Sequence, residues 1–284
     1  MSIDLTPPPT AAPPAGPQPP RQTRPSAQIV AIIAICLGGL LLLGALLSGI
    51  GSIAYAASRG SDGGTADTSG VEALSLDVSA GHVVVQYADV DGAILEVAGG
   101  DGNWRLERRG DTLAVTNNRP WWALQGGFSW NDNRATLTLP AEMAEQKLEA
   151  DFDVAAGSLT ADGTYGRLDL HVGAGDADVS GSADDLRVDV SAGEADVRID
   201  GAQQASMTIG AGQIIADVTG TSLDSVRVDV SAGTLVGTLP DGTYDVTSEV
   251  SAGSFDNQLE TADGAARTVD VQVSAGSVTL RPAD

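Results

Sequence analysis

The chain has one cysteine, two histidines and few aromatic residues among 284 positions. Cys36 has no possible partner, so no internal disulfide staples the fold and it must stand on burial. It lies within an apolar run, where a thiol behaves as a small hydrophobe. Ala34-Ile35 before it, and the long apolar stretch after it, do not make a lipidation site. His82 and His171 have no cysteine to join them, so they make no zinc site and read as surface residues. Basic residues are scarce: 15 Lys and Arg stand against 38 Asp and Glu, for a net charge of -23. A nucleic-acid partner wants a basic face, so none is expected. Gly-x-Ser-x-Gly, P-loop, dinucleotide, EF-hand and calcium-nonapeptide patterns are missing from suitable contexts. We expect no enzyme, no cofactor, no metal and no catalytic residue.

What the chain does have is glycine, 35 residues of it, and a repeat. Seven times an alternating strand runs into a small residue followed by Ala-Gly, at Gly157, Gly175, Gly193, Gly212, Gly233, Gly253 and Gly276. The spacing is roughly 20 residues, the period of a repeat architecture. An eighth copy, Ser79-Ala80-Gly81, stands apart. Three residues before each closing glycine stand Val154, Val172, Val190, Ile209, Val230, Val250 and Val273. Apolar residues also hold the positions five and seven before it, with one lapse at Ser248. Polar residues lie between. This period of two marks half-buried strands.

The alternation slips by one across each glycine, which predicts a corner with the alanine inward, small residues where backbone of neighbouring coils packs closely, and the glycine supplying a left-handed bend. Asp162-Gly163, Ser180-Gly181, Asp200-Gly201, Thr219-Gly220 and Asp241-Gly242 read as closing turns. One repeat has too few apolar side chains to hold itself. Laid on its neighbour, each valine sits over its equivalent, which gives an all-β, parallel β-solenoid, β-helix-like. The same turns also suit antiparallel hairpins in a sandwich. Residues 71–147 read as an irregular N-terminal cap, and residues 148–284 as seven coils in chain order.

Before the repeats come three other segments. Residues 1–28 hold Pro7-Pro8-Pro9, Pro13-Pro14 and Pro19-Pro20, which forbid helix and sheet and predict a disordered tail. Residues 29–57 carry no charge and are long enough to cross a bilayer as one helix. Arg21 and Arg24 before the run favour a cytoplasmic N-terminus. A cleavable signal is the rival reading, with Ala54-Tyr55-Ala56 as its small-x-small site, although the apolar run exceeds the usual signal core. Residues 58–70 read as a flexible linker. Only Asp4, Asp62, Asp67, Arg21, Arg24 and Arg59 among the charged residues precede Val71, so the acidic excess falls on the exported part, residues 71–284.

Two features could carry chemistry. The carboxylate pairs Asp151/Asp153 and Asp176/Asp178 occupy polar slots of the repeat, with nothing marking a cleft around them. Trp121, Trp122, Phe128 and Trp130 cluster in one stretch, and with Trp104 they include every tryptophan of the chain. They either plug the end of the stack or form an exposed patch for a partner, a glycan or the bilayer surface.

The strand–Ser-Ala-Gly–strand repeat, Leu137-Thr138-Leu139-Pro140 and the single apolar span together resemble a known bacterial family. It comprises β-strand-repeat domains of unknown function that carry an adhesin label, also called toastrack domains. The resemblance covers roughly residues 71–284. It implies a membrane-anchored, outward-facing solenoid, with some relatives accompanying envelope-stress and two-component signalling systems. It implies no catalytic residues. The proline-rich tail and the tryptophan segment are not part of that pattern. The expectation is a single-pass cell-membrane protein that binds or scaffolds at the envelope through an envelope protein or glycan. A stress sensor or accessory of a membrane signalling system is the alternative.

Overall fold

Alternation of apolar and polar residues decides the local structure. The computed structural model describes residues 63–99, 104–117 and 133–283. Among them the chain is all-β, one large sheet of 20 strands with a single 3-10 turn at Ala141–Glu145. No helix of the described residues is long and apolar enough to cross a membrane. The proline-rich tail and the expected span, residues 29–57, lie outside the described residues.

The strands before the Ala-Gly corners form one parallel ladder. Its spatial order is β2 (Ala73–Val78), β8 (Leu148–Val154), the second half of β9 (Ser158–Val172), the second half of β10 (Asp176–Val190), β12 (Gln204–Ile209), β14 (Ser225–Val230), β19 (Arg267–Val273) and β16 (Thr243–Val250). The strands after the corners form a second parallel ladder. It runs β3 (His82–Ala88), the first half of β9, the first half of β10, β11 (Glu194–Asp200), β13 (Gln213–Thr219), β15 (Thr234–Leu239), β20 (Ser277–Pro282) and β17 (Ser254–Asn257).

Equivalent residues therefore lie over one another. Val78 pairs with Val154, Val154 with Val172, Val172 with Val190, Val190 with Ile209, Ile209 with Val230, and Val230 with Val273. All of these are buried. Each such side chain contributes about 1.5–3 kcal/mol relative to an exposed one. The flanking apolar columns, Phe152-Leu170-Val188-Met207-Val228-Val271 among them, are buried as well.

The corners differ from expectation in two ways. The alanines at 156, 174, 192, 211, 232, 252 and 275 are exposed and do not point inward. The seven corner glycines are also not left-handed; only Gly81 of the outlying copy is, at φ 118°. Close approach is what requires glycine. A Cβ on Gly193 would strike the Gly175 carbonyl oxygen and come 2.7 Å from Val172 Cγ1. That same carbonyl accepts from the Glu194 N–H at 3.0 Å. The glycine column thus lets a backbone hydrogen bond form where a side chain would stand. Two of the expected closing turns are also not turns, since β9 and β10 run as unbroken strands through Gly163 and Gly181.

Chain order and stacking order part company at both ends. The C-terminal repeat, β19 and β20, is inserted beneath the repeat that precedes it, so β16 and β17 lie outermost. A short strand, β18 (Glu260–Thr261), pairs with Thr243 and Tyr244 of β16. At the N-terminal end, β2 and β3 are likewise covered by later chain. β6 (Thr112–Asn117) pairs with β2, and β7 (Arg134–Pro140) with β3. Antiparallel strands finish this end: β5 (Trp104–Arg109) on β6, β4 (Ala93–Ala98) on β7, and β1 (Gly64–Ala66) on β4. Residues 64–66, expected within the linker, are therefore part of the sheet.

Candidate functional site

Of the aromatic cluster, the structure places one member. Trp104 opens β5 and is buried at 3 % exposure, joining the core at the N-terminal end. Its ring lies against the Gly81 corner, where a glycine Cβ would meet it at 3.3 Å. Beside it, Asn117 Nδ2 donates to the Ala80 carbonyl at 2.7 Å. The Trp104 indole N–H is buried without a hydrogen-bond partner among the described residues. Trp121, Trp122, Phe128 and Trp130 lie outside the described residues.

The outward columns carry the polar chemistry. Four residues before each glycine the register brings Asp77 beside Asp153, Asp153 beside His171, and His171 beside Asp189. Burial, with the Asp153 charge added, raises the Asp77 pKa above the ordinary 3.8. His171 thus sits between two carboxylates, as their common distance from the closing glycines implies. His82 hydrogen-bonds to the Ser158 hydroxyl through Nδ1.

Of the carboxylate pairs singled out from the sequence, only Asp176 borders a depression, an open one along the Ala-Gly corners beside Glu194. Asp151 and Asp153 are exposed on the outer face of β8. Asp178 accepts from Arg198 Nη1 at 3.1 Å, and Arg198 Nη2 reaches Asp196 at 2.8 Å. Asp196 itself has a raised pKa, mainly from burial, with Arg198 opposing and Asp178, Glu194 and Asp217 adding repulsion. Among the described residues, no group of three or more His, Cys, Asp or Glu could hold a metal ion.

Sequence reading missed a groove on the outer face of the first ladder. It holds about 880 Å³ and crosses six strands, from Arg167 and Asp169 to Asp245 and Thr247. Along one row the register sets Asp169, Arg187, Ser206, Arg227 and Asp270 side by side. Arg227 reaches Asp270 at 3.6 Å. The neighbouring row runs Arg167, Asp185, Gln204, Ser225, Thr268 and Asp245, with neutral hydrogen-bonding groups between charged ends. Alternating charges and hydroxyls make this strip nearly neutral on a strongly acidic chain. Chemically it can offer many weak, spaced hydrogen bonds to a hydroxyl-rich or mixed-charge surface. A signal was present in the sequence: Arg187 and Arg227 each stand six residues before a closing glycine.

Two buried phenols complete the inventory. The Tyr87 and Tyr165 hydroxyls have no partner among the described residues. Burial, then the Asp162 charge, pushes the Tyr87 pKa up to about 12. Tyr165 shifts upward too, again mainly through burial, and packs edge-on against Phe152 at 5.9 Å. Both hydroxyls lie where a Cβ on Gly163 would stand, so they fill a corner of the core.

No family model matches the chain, and no curated protein matches it. Solved structures do. A "putative cell adhesion protein" of Clostridium sporogenes is 12 % identical at a TM-score of 0.39, covering 78 % of this chain and 98 % of its own. A "putative adhesin" of Bacteroides fragilis is 14 % identical at 0.41, covering 78 % and 96 %. One of Parabacteroides distasonis is 16 % identical at 0.42, covering 78 % and 96 %. These three solved structures, to which this chain is similar, are bacterial chains named "putative adhesin" or "putative cell adhesion protein".

Proposed function

We propose that the chain is a single-pass membrane protein whose extracytoplasmic part is a parallel β-solenoid that binds or scaffolds at the cell envelope, without catalysing a reaction. Residues 1–28 are the cytoplasmic tail, 29–57 the anchor, 58–70 mainly tether and 71–284 the displayed domain. The observation that carries this reading is the register of both parallel ladders, which holds from repeat to repeat apart from one shift at Leu148/Glu149. A register of that kind repeats the same outward slots at about 4.8 Å spacing. Such a surface meets an extended or repetitive partner through many equivalent weak contacts and needs no reacting group. The groove holding Arg187, Ser206 and Arg227 is one candidate contact on that surface, and the segment with Trp121 and Trp122 is a second.

Sedimentation of the full chain with isolated envelope fragments tests this. Trp121→Ala with Trp122→Ala abolishes co-sedimentation and leaves the melting temperature unchanged if those side chains form a contact. A large fall in melting temperature instead assigns them to the plug. Failure of the wild-type chain to sediment, with one stoichiometric membrane protein retained in detergent, overturns the adhesive reading in favour of the signalling one.

A further inference from the structure

The C-terminal end of the stack is unfinished. Among the described residues, β16 pairs from Asp245 to Val250 with β19 alone, and β17 pairs with β20 alone. A strand at an edge turns alternate N–H and C=O groups outward, so this edge presents a row of unpaired backbone donors and acceptors. The apolar column is also left uncovered. Val269, Val271 and Val273 of the repeat beneath are 0–2 % exposed. Their partners on β16 are Val246, half-buried, Ser248, exposed, and Val250, exposed to 41 %. Val250 is the one exposed large hydrophobic residue among those described. Phe255 of β17 is only half-buried, whereas its partner Val278 is 1 % exposed.

Charge says what can cover this edge. Residues 241–266 carry Asp241, Asp245, Glu249, Asp256, Glu260 and Asp263, and no lysine or arginine. A second copy stacked edge to edge would set two such acidic repeats against each other, which repulsion opposes. We infer that the β16–β17 edge is a docking site for a basic, extended peptide segment of a partner protein, which adds as the next strand of the sheet. The register defines the complementary sequence. A strand beside β16 places every second side chain next to Val246, Ser248 and Val250. The others fall next to Asp245, Thr247 and Glu249. Alternating branched apolar and cationic residues satisfy both rows, and the backbone supplies the missing hydrogen bonds.

This inference does not rest on the envelope reading, and its test uses no envelope material. The full chain in detergent is titrated with a fluorescent peptide of alternating lysine and valine, and anisotropy is read. Binding is expected, weakening as salt is added. Methylating the peptide's backbone nitrogens should weaken it at least about tenfold, as should Val250→Lys or Glu249→Lys in the protein. Thermal melts of both variants check that the fold is retained, since each changes an exposed side chain. Equal affinity of the methylated peptide means attraction to the acidic surface only, and overturns the proposal. So does the absence of binding by the wild-type chain. A concentration-dependent dimer that Val250→Lys dissolves would assign the edge to a second copy and overturn it equally.

Discussion

The two ends of the stack are built by the same manoeuvre and finished differently. At each end a chain-terminal repeat lies one level in, covered by the repeat next to it in sequence. The N-terminal end is then closed. The antiparallel strands β5 and β4 lie against β6 and β7, β1 pairs with β4, and the buried Trp104 packs on the Gly81 corner. The C-terminal end stops at β16 and β17 with an edge that no described strand covers, a half-covered valine column and six carboxylates. Repeat proteins need a distinct terminal unit because the inner units expose apolar surface and edge. Here one terminal unit covers the parallel ladders with antiparallel strands, and the other guards its edge with charge, a recognised defence against strand pairing with like copies.

That contrast can be broken by mutation. The largest effect is expected from Trp104→Ala, which should cost about 3–5 kcal/mol in denaturant unfolding, because it empties a filled end. The same truncation at Val250 should cost less than about 1 kcal/mol, because part of that side chain is already in water. Equal costs would mean that the ends are finished alike. Next comes the middle of the stack. Gly193→Ala should cost about 3 kcal/mol or more by forcing the Gly175 carbonyl aside. Its neighbour Ala192→Ser, on the exposed corner, should stay within about 0.5 kcal/mol. The smallest effect concerns Asp196. Its folded pKa is raised, so the native state holds the proton more tightly than the unfolded chain. Stability therefore falls as pH rises from the ordinary value of 3.8 through the raised one, and the penalty persists at neutral pH. Asp196→Asn should raise the melting temperature slightly at pH 7 and not below pH 4, with Asp178 still holding Arg198. A lowered melting temperature at pH 7 would show that the Arg198 contact outweighs burial.

Much of this was legible in the spacing of residues. The valine column and the seven corners read correctly because period-two alternation and a fixed repeat length are local properties. The lapse at Ser248 was visible too, but its meaning was not. Ser248 stands in a valine column because β16 is outermost, so its slot is not buried. The corner alanines misled because small size suits both a buried and an exposed bend. Of the two reasons for small residues at the corners, close packing against the neighbouring repeat holds, whereas the left-handed bend does not. The groove was hidden because Arg187 and Arg227 meet Ser206 only through register across three strands. The other tryptophan-segment residues lie outside the described region, and Trp104 alone supports the plug.

The sequence by itself determined the strands, the corner positions and which face of each strand is apolar, because alternation and glycine act within a few residues. Only the tertiary structure decided the order of the repeats. Every repeat offers nearly the same valine ladder to its neighbours, so local pattern cannot rank them. The choice to bury β19 and expose β16 follows from which repeat can leave its outer side wet, a property of the whole stack.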